Sequence, residues 1–506
     1  MTFLPLRSAA AVPLDRVPES DFDDFRGGVL GEVSAGKRLA SLFADLPADG
    51  EGIRMFAVLA DDASGRLLVG RTRLRGDDYP ALTPLCPQAH LFEREMAEQV
   101  GVEPKGHPWL RPVRFRRSWR PGRDAFGRGP EESPLPGVTS YFRVEGDEVH
   151  EVAVGPVHAG VIEPGHFRFQ CHGERVFHLE ISLGYQHRGV EEALKGGPHG
   201  LSAHQMETVA GDTTVGHAIA WAQNLEALSG TAVPPRARAL RGVALELERL
   251  ANHTGDLGAL AGDVGYLPTA SYCGRLRGDF LNMTAALCGS RFGRGLVRPG
   301  GTRFDVDGAL VADISARLDR AAEDVRGAVE LLWATPTVVN RFENTGRLSR
   351  ETAEEIGLVG PAARATGLPR DVRQDHPYGV HEGNPIPVRT AHYGDVASRA
   401  MVRWLEIQES IRFVAGRLAD LPTSPVAAPA GPLAAESLAI SLVEGWRGEI
   451  CHVAVTDAAG RLARYKITDP SFHNWFGLAL ALRGGEISDF PLCNKSFNLS
   501  YCGHDL

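Results

Sequence analysis

Hydrophobic and polar positions follow two periods along this chain, and the balance between them shifts near residue 190. Before that point, short runs with a two-residue period predict strands. Phe56-Ala-Val-Leu-Ala and Arg66-Leu-Leu-Val-Gly-Arg-Thr-Arg-Leu flank a Ser-Gly turn and predict a hairpin, because alternation places one face on a core and the other towards water. His166–His172 and Arg175–Tyr185 read as a second pair of strands. Beyond it, apolar residues recur at three- and four-residue spacing, as amphipathic helices require. Helices are predicted over Ala203–Leu228, Arg238–Leu260, Leu310–Ala334, Val396–Leu418 and Phe472–Arg483, with Gly230-Thr-Ala-Val-Pro-Pro as the stop between the first two. A shorter helix starts at Ala89 and ends on Gly101, as a glycine C-cap would end it. A last hairpin fits Glu449–Val455 and Leu462–Ile467 around Ala459-Gly460.

The Pro/Gly-rich stretch from Arg120 to Gly137 divides the chain. Residues 1–135 form a small α/β domain in this reading. Residues 150–506 form a mainly helical bundle edged by β hairpins, so the overall class is α+β. Pro422–Pro432 reads as a loop-like linker.

A length of 506 residues fits two or three domains, and 43% hydrophobic with 23% charged residues is a globular composition. The net charge of -9 argues against nonspecific nucleic-acid binding, which needs a concentrated basic surface. No apolar run approaches the ~20 residues of a membrane span, and the first residues lack the pattern of a signal peptide. A cytoplasmic protein is expected, not itself membrane-spanning. The seven cysteines, at 86, 171, 273, 288, 451, 493 and 502, form no Cys-x-x-Cys pair, which is neither a disulfide framework nor an iron–sulfur signature.

The segments Glu207-Thr-Val-Ala-Gly-Asp-Thr-Thr-Val-Gly-His217 and Asn498-Leu-Ser-Tyr-Cys-Gly-His-Asp-Leu506 carry the most information. They resemble the two cysteine-bearing segments of the large subunit of energy-converting, formate-hydrogenlyase-type (group 4) nickel–iron hydrogenases. The resemblance extends through Gly155–Phe169, Leu183–Glu192, Val443–Ile450 and Asp469–Trp475. Tyr79–Glu95 and Gly106–Arg111 look like the small peripheral-arm subunit of complex I that flanks its quinone-site subunit. The chain is thus similar to a fusion of the two.

In that family each segment supplies a Cys-x-x-Cys pair, and the four thiolates hold nickel and iron. Here the four positions are Ala210, Thr213, Ser500 and Gly503. Alanine and glycine offer no donor, and neutral hydroxyls are poor ligands for a soft centre. Bound nickel and H2 activity are therefore not expected, nor is a C-terminal extension of the kind trimmed after nickel insertion. A relict zinc site at Cys493, Ser500, Cys502, His504 and Asp505 is an alternative, against a frayed terminus.

The resemblance also implies the other branch of the fold, the quinone-reducing subunit of complex I, where a hairpin histidine and a loop tyrosine hold the quinone. The hairpin candidates here are His158 and His166, with Glu163 between them, and Gly211 stands at the tyrosine position. Asp212 and His217 are the remaining candidates for proton chemistry, because histidine titrates near neutrality. Gly211, Thr213, Thr214, Ser500 and Tyr501 would line a quinone cavity in the vacated loops. His217 can equally be a buried helix-face histidine, and Glu163 and His166 can equally be solvated loop residues. The implied partners are an iron–sulfur subunit carrying the cluster and antiporter-like or quinone-channel membrane subunits, at the cytoplasmic face of the inner membrane. This chain would carry no cofactor of its own. The alternative is a non-catalytic scaffold, which Phe497 and Leu499 would favour if they plugged the cavity.

Overall fold

A computed structural model describes residues 3–47, 50–129, 132–158 and 162–506. The resembling stretch Gly155–Phe169 therefore falls partly outside the described residues, at positions 159–161. Helices and strands intermix as α+β.

The first unit begins with β1 (Leu4–Leu6) and β2 (Ala10–Pro13), followed by α1 (Phe22–Ser34), β3 (Arg38–Asp45), β4 (Ile53–Asp61), β5 (Arg66–Leu74) and α2 (His90–Val100). The predicted hairpin is β4–β5, in the register Ile53↔Leu74 to Asp61↔Arg66. It sits in a sheet of order β1-β5-β4-β3, with Glu19–Ser20 pairing β5 in parallel. β3 was not apparent from alternation because all eight of its residues are buried, so neither face shows a polar rhythm. α2 ends on Gly101 in the left-handed conformation at φ 63°, as its sequence suggested.

The second unit starts with a three-stranded antiparallel sheet of β6 (Val149–Val154), β7 (His166–His172) and β8 (Arg175–Ser182). Then come α3 (Thr214–Ser229), α4 (Pro235–Asp263), α5 (Leu267–Cys288), α6 (Gly308–Trp333) and α7 (Val396–Ala419). The predicted helix 203–228 is in fact broken. A short turn of helix at Ser202–Met206 is followed by the irregular segment 207–213, and only then does α3 begin. The segment's backbone is held by turn-type bonds, such as Thr208 N to Gln205 O at 3.2 Å and Thr213 N to Ala210 O at 2.9 Å, and by the Thr214 hydroxyl donating to Glu207 O at 3.0 Å. α4 is buried along most of its length and packs against α5 and α7.

β9 (Ser437–Gly445), β10 (Gly448–Thr456) and β11 (Leu462–Thr468) build the last sheet, followed by α8 (Pro470–Leu482), α9 (Phe490–Phe497) and α10 (Tyr501–Asp505). The chain's own N-terminal strand completes that sheet, since β2 pairs with β9 from Ser437↔Pro13 to Ile440↔Ala10. The final residues are not frayed: Gly503, His504, Asp505 and Leu506 are buried, and the Asp505 carboxylate accepts the backbone N–H groups of Gly184 and Gln186. Among the described residues, no helix is long and apolar enough to cross a membrane.

Buried charge joins the two units. The Lys466 ammonium, fully buried on β11, meets Glu95 of α2 at 2.7 Å and Glu191 at 3.2 Å. Arg464 pairs with Glu191 at 2.9 Å, and Arg114 with Glu95. Burial would raise the Glu191 pKa, but Arg464, Lys466 and Arg114 outweigh it and hold it well below the usual carboxylate range. Removing one member leaves buried cations without compensation, which costs about 3–5 kcal/mol. Glu191→Ala is therefore expected to lower stability by that order at pH 7, measured by chemical denaturation. Because the folded pKa is depressed, the contribution is present above about pH 4.3, the unfolded value, and is lost as pH falls below it. The gap between wild type and variant should thus narrow on acidification.

Candidate functional site

Three segments converge where the resemblance places a metal: the β6–β7 hairpin loop, the 207–213 segment and the tail from Asn498. Arg447, in the turn between β9 and β10, ties the last two together. Its guanidinium grips Asp212 through two nitrogens at 2.6 and 2.8 Å, reaches the Thr213 hydroxyl at 3.3 Å and donates to Asn498 O at 2.5 Å. The Asp212 carbonyl accepts from Trp446 and Asn252, both at 3.0 Å. Burial disfavours the Asp212 anion, yet the Arg447 charge and hydrogen bonds hold its pKa below the usual range.

Behind this pair lies a buried polar chain. Asp469 Oδ2 is 3.0 Å from His217 Nε2, His217 Nδ1 is 3.0 Å from His452 Nε2, and His452 Nδ1 is 2.9 Å from the Tyr465 hydroxyl. All four side chains are essentially inaccessible to solvent. Burial works to raise Asp469, but hydrogen bonding from His217 and the charges of His217 and Arg447 hold it low. Burial drives His452 the other way, well below the ordinary histidine value, and neighbouring His217 adds to this.

The donor set does not fit a nickel–iron centre. A Cβ built on Gly503 would stand 2.7 Å from Asp469 Cγ and 2.9 Å from Ser500 Oγ, so the Asp469 carboxylate occupies the space that a side chain at 503 would need. Ser500 Oγ accepts Gly503 N at 2.9 Å as the cap of α10, and Thr213 Oγ1 is engaged by Arg447. Ala210 offers no donor. Among the described residues, no group of three or more His, Cys, Asp or Glu is placed to hold a metal ion. The residues considered for zinc do not meet as one set: Ser500 Oγ is 3.4 Å from Cys502 Sγ and His504 Nδ1 is 3.0 Å from Asp505 Oδ1, while Cys493 lies against Gly346 and Arg399 and the Asp505 carboxylate also accepts backbone N–H groups.

The remaining candidates separate into two sets. Glu163 approaches Cys502 and Tyr501, and Cys502 also meets the backbone of Gly211, so these residues do come together. Burial first, and Glu163 next, push the Cys502 thiol up to about 11. Gly211 is exposed, while Asp212 and Cys502 are partly exposed, so water reaches this face. The hairpin histidines instead brace their own loop: His158 Nε2 is 3.0 Å from Gly165 O, and His166 lies between Gly155 O and Arg168 Nε. Thr214 closes the 207–213 segment, and the Tyr501 ring is buried against Trp475 and Phe167. Phe497 and Leu499 join that same apolar core.

Sequence reasoning did not single out Arg447, Asp469, His452, Tyr465 or Glu248. Arg447 and Asp469 lie inside resembling stretches, Val443–Ile450 and Asp469–Trp475, which was the available signal. Glu248 had none, being one acidic residue on a long helix. It accepts Val215 N at 2.7 Å and Gly216 N at 3.3 Å, at the start of α3. Burial pushes its pKa up to about 8, and the Asp212 charge adds to this against those N–H donors.

Comparison with known proteins accounts for this architecture. The family model described as "Respiratory-chain NADH dehydrogenase, 30 Kd subunit" matches residues 38–131, and "Respiratory-chain NADH dehydrogenase, 49 Kd subunit" matches residues 263–436. The carbon monoxide-induced hydrogenase of Rhodospirillum rubrum is 32% identical over 69% of this chain and 97% of its own length. The chain belongs to the group 4 hydrogenase and complex I subunit family. Hydrogenase-4 component G of Escherichia coli (strain K12) is 30% identical over 84% of the chain and 75% of that protein, and formate hydrogenlyase subunit 5 of the same organism is 29% identical over 84% and 76%. In this chain the 30 Kd-like region precedes the 49 Kd-like region.

Glu248 provides a test of the site's electrostatics. Its folded pKa lies above the unfolded value, so the folded state keeps a proton that the unfolded chain releases. Stability is then full below about pH 4.3 and declines as pH rises towards 8, by up to a few kcal/mol. Glu248→Gln is expected to remove that decline, which denaturant titrations at pH 5 and pH 8 would measure.

Proposed function

We propose that this chain is the electron-accepting subunit of a membrane-associated, complex I-like oxidoreductase, and that it does not activate H2. The observation that carries the reading is the pairing of Arg447 with Asp212 across the vacated loops, with Asp469 in the space that a side chain at 503 would need and one face still open to water. A scaffold would more economically fill such a site with apolar side chains, and here the two aromatic or aliphatic candidates are turned into the neighbouring core.

Quinone or another small acceptor docks at the face formed by Glu163, Gly211 and Cys502. Electrons arrive from an iron–sulfur cluster in a partner subunit, and this chain binds neither nickel nor a cofactor of its own. Reduction of a quinone takes up two protons as well as two electrons. Asp212 stays anionic and presents the part of its side chain that Arg447 leaves uncovered to the acceptor, while Glu248 holds a proton at neutral pH. The His217–Asp469 pair, with His452 behind it, passes protons through the interior. The complex sits on the cytoplasmic face of the inner membrane, where antiporter-like or quinone-channel subunits convert the chemistry into ion movement. The names of the relatives, formate hydrogenlyase and NADH-quinone oxidoreductase subunits, support membership of a multi-subunit oxidoreductase.

The test uses the native complex. Elemental analysis is expected to find iron without nickel, and Asp212→Asn is expected to lower quinone turnover at least about tenfold while the complex still assembles. Nickel at one per chain would restore a hydrogenase. Unchanged turnover in Asp212→Asn, or no turnover in the wild type, would leave a non-catalytic scaffold as the better account. Reinstalling the four cysteines (A210C, T213C, S500C, G503C) should recruit no nickel, because the Asp469 carboxylate obstructs the last of them.

A further inference from the structure

A second cavity, independent of the vacated metal loops, lies about 18 Å along α3 from its first residue, twelve residues on at 1.5 Å each. Its volume is ≈ 370 Å³, at the small end of ligand pockets. The C-terminal half of α3, the N-terminal turns of α4 and the short helical turn Gly379–Glu382 enclose it. Gly242 lets this turn come close, since a Cβ there would meet Val380 Cγ1 at 2.4 Å.

The cavity contains unspent hydrogen-bonding capacity. His381 is 2% exposed and neither ring nitrogen has a hydrogen-bond partner; Gln223 is 6% exposed and its Oε1 has none. Both line the cavity, whereas buried polar atoms are nearly always paired. The charges around them are already matched. Arg241 grips Glu226 at 2.5 and 3.1 Å in the wall, and Arg238 faces Glu382 at 3.8 Å, both of them substantially exposed. Ile219, Val233 and Leu245 supply apolar surface.

We propose that this cavity binds a neutral, ring-sized molecule that carries both a hydrogen-bond donor and an acceptor on an otherwise apolar body. The donor goes to Gln223 Oε1 and the acceptor to the imidazole N–H of His381. Burial pushes His381 down to about 4, so at neutral pH its ring offers one N–H and one bare nitrogen and no charge. A net-charged ligand would find no uncompensated partner, because each lining cation already faces a carboxylate.

The probe is 4-fluorophenol, titrated against the full chain and followed by its fluorine resonance. Saturable binding with a dissociation constant on the order of 1 mM is expected for eight heavy atoms. His381→Phe keeps the ring's shape and removes its hydrogen bonds, and is expected to weaken binding at least about tenfold. Ala232→Trp, at an exposed lining position, blocks access without disturbing the core and should abolish binding. The charged analogues 4-fluorobenzoate and 4-fluorobenzylamine should bind at least about tenfold more weakly. Non-saturable binding, or binding that survives Ala232→Trp, would overturn the site. Equal binding of the charged analogues would overturn its chemical class, and a cavity that takes no probe holds only water.

Discussion

The guanidinium of Arg447 is the group on which the centre of this molecule depends. It is nearly buried, and a buried charge persists only when its donors and its charge are both met. Asp212 meets the charge from one vacated loop, and Asn498 O takes a further donor from the other. The turn that presents Arg447 is itself fixed by a close backbone approach. A Cβ on Gly360 would stand 2.1 Å from Arg447 O, and one on Gly448 would stand 2.8 Å from Gly360 Cα. Both residues have positive φ, at 67° and 132°, so glycine is required at each side of the crossing. From there the constraint spreads outward: Asn498 Nδ2 donates to Asp256, and Asp256 in turn pairs with Arg403 of α7.

A thiolate metal centre is a ring of anionic donors around a cation. The present site keeps that charge logic with different chemistry. Arg447 supplies the cation, Asp212 pairs with it directly, and Asp469 lies close enough for each to shift the other's ionisation. The difference lies in what can be exchanged. A guanidinium has no redox states and stays protonated at any working pH, so it fixes geometry and field but cannot accept a hydride or an electron. The carboxylates and imidazoles around it can move protons. The site as built is therefore a fixed cation held among carboxylates, and the groups around it that can change state do so by gaining or losing protons.

Much of the fold was legible because it follows from period alone. The helices that became α4, α6, α7 and α8 were placed within a few residues, and both predicted hairpins formed. Strands buried on every side were not, since β3 and β9 have no polar rhythm, and α5 was not because small residues interrupt its apolar stripe. The 207–213 segment was missed as a break because its apolar spacing continues that of α3, and it is held out of the helix by turn-type backbone bonds and the Thr214 hydroxyl. At the site, the segments that come together could be read from their resemblance to a known family. The side chains that meet there could not. Asp469 and Arg447 are separated from Asp212 by more than two hundred residues, and no local spacing encodes that meeting.

Glu248 and Asp212 show how one small volume holds two carboxyl groups in opposite states. Asp212 ionises because Arg447 faces it, whereas Glu248 has only backbone N–H groups and sits beside the Asp212 charge. One field therefore fixes both assignments, a resident anion and a resident acid. Asn252 holds the two together, donating from one amide nitrogen to Asp212 O at 3.0 Å and to Glu248 O at 2.9 Å. Loss of the Asp212 charge would remove one of the influences that raise Glu248, leaving burial as the main one. Glu248 therefore keeps its proton for as long as the Arg447-paired anion stands beside it.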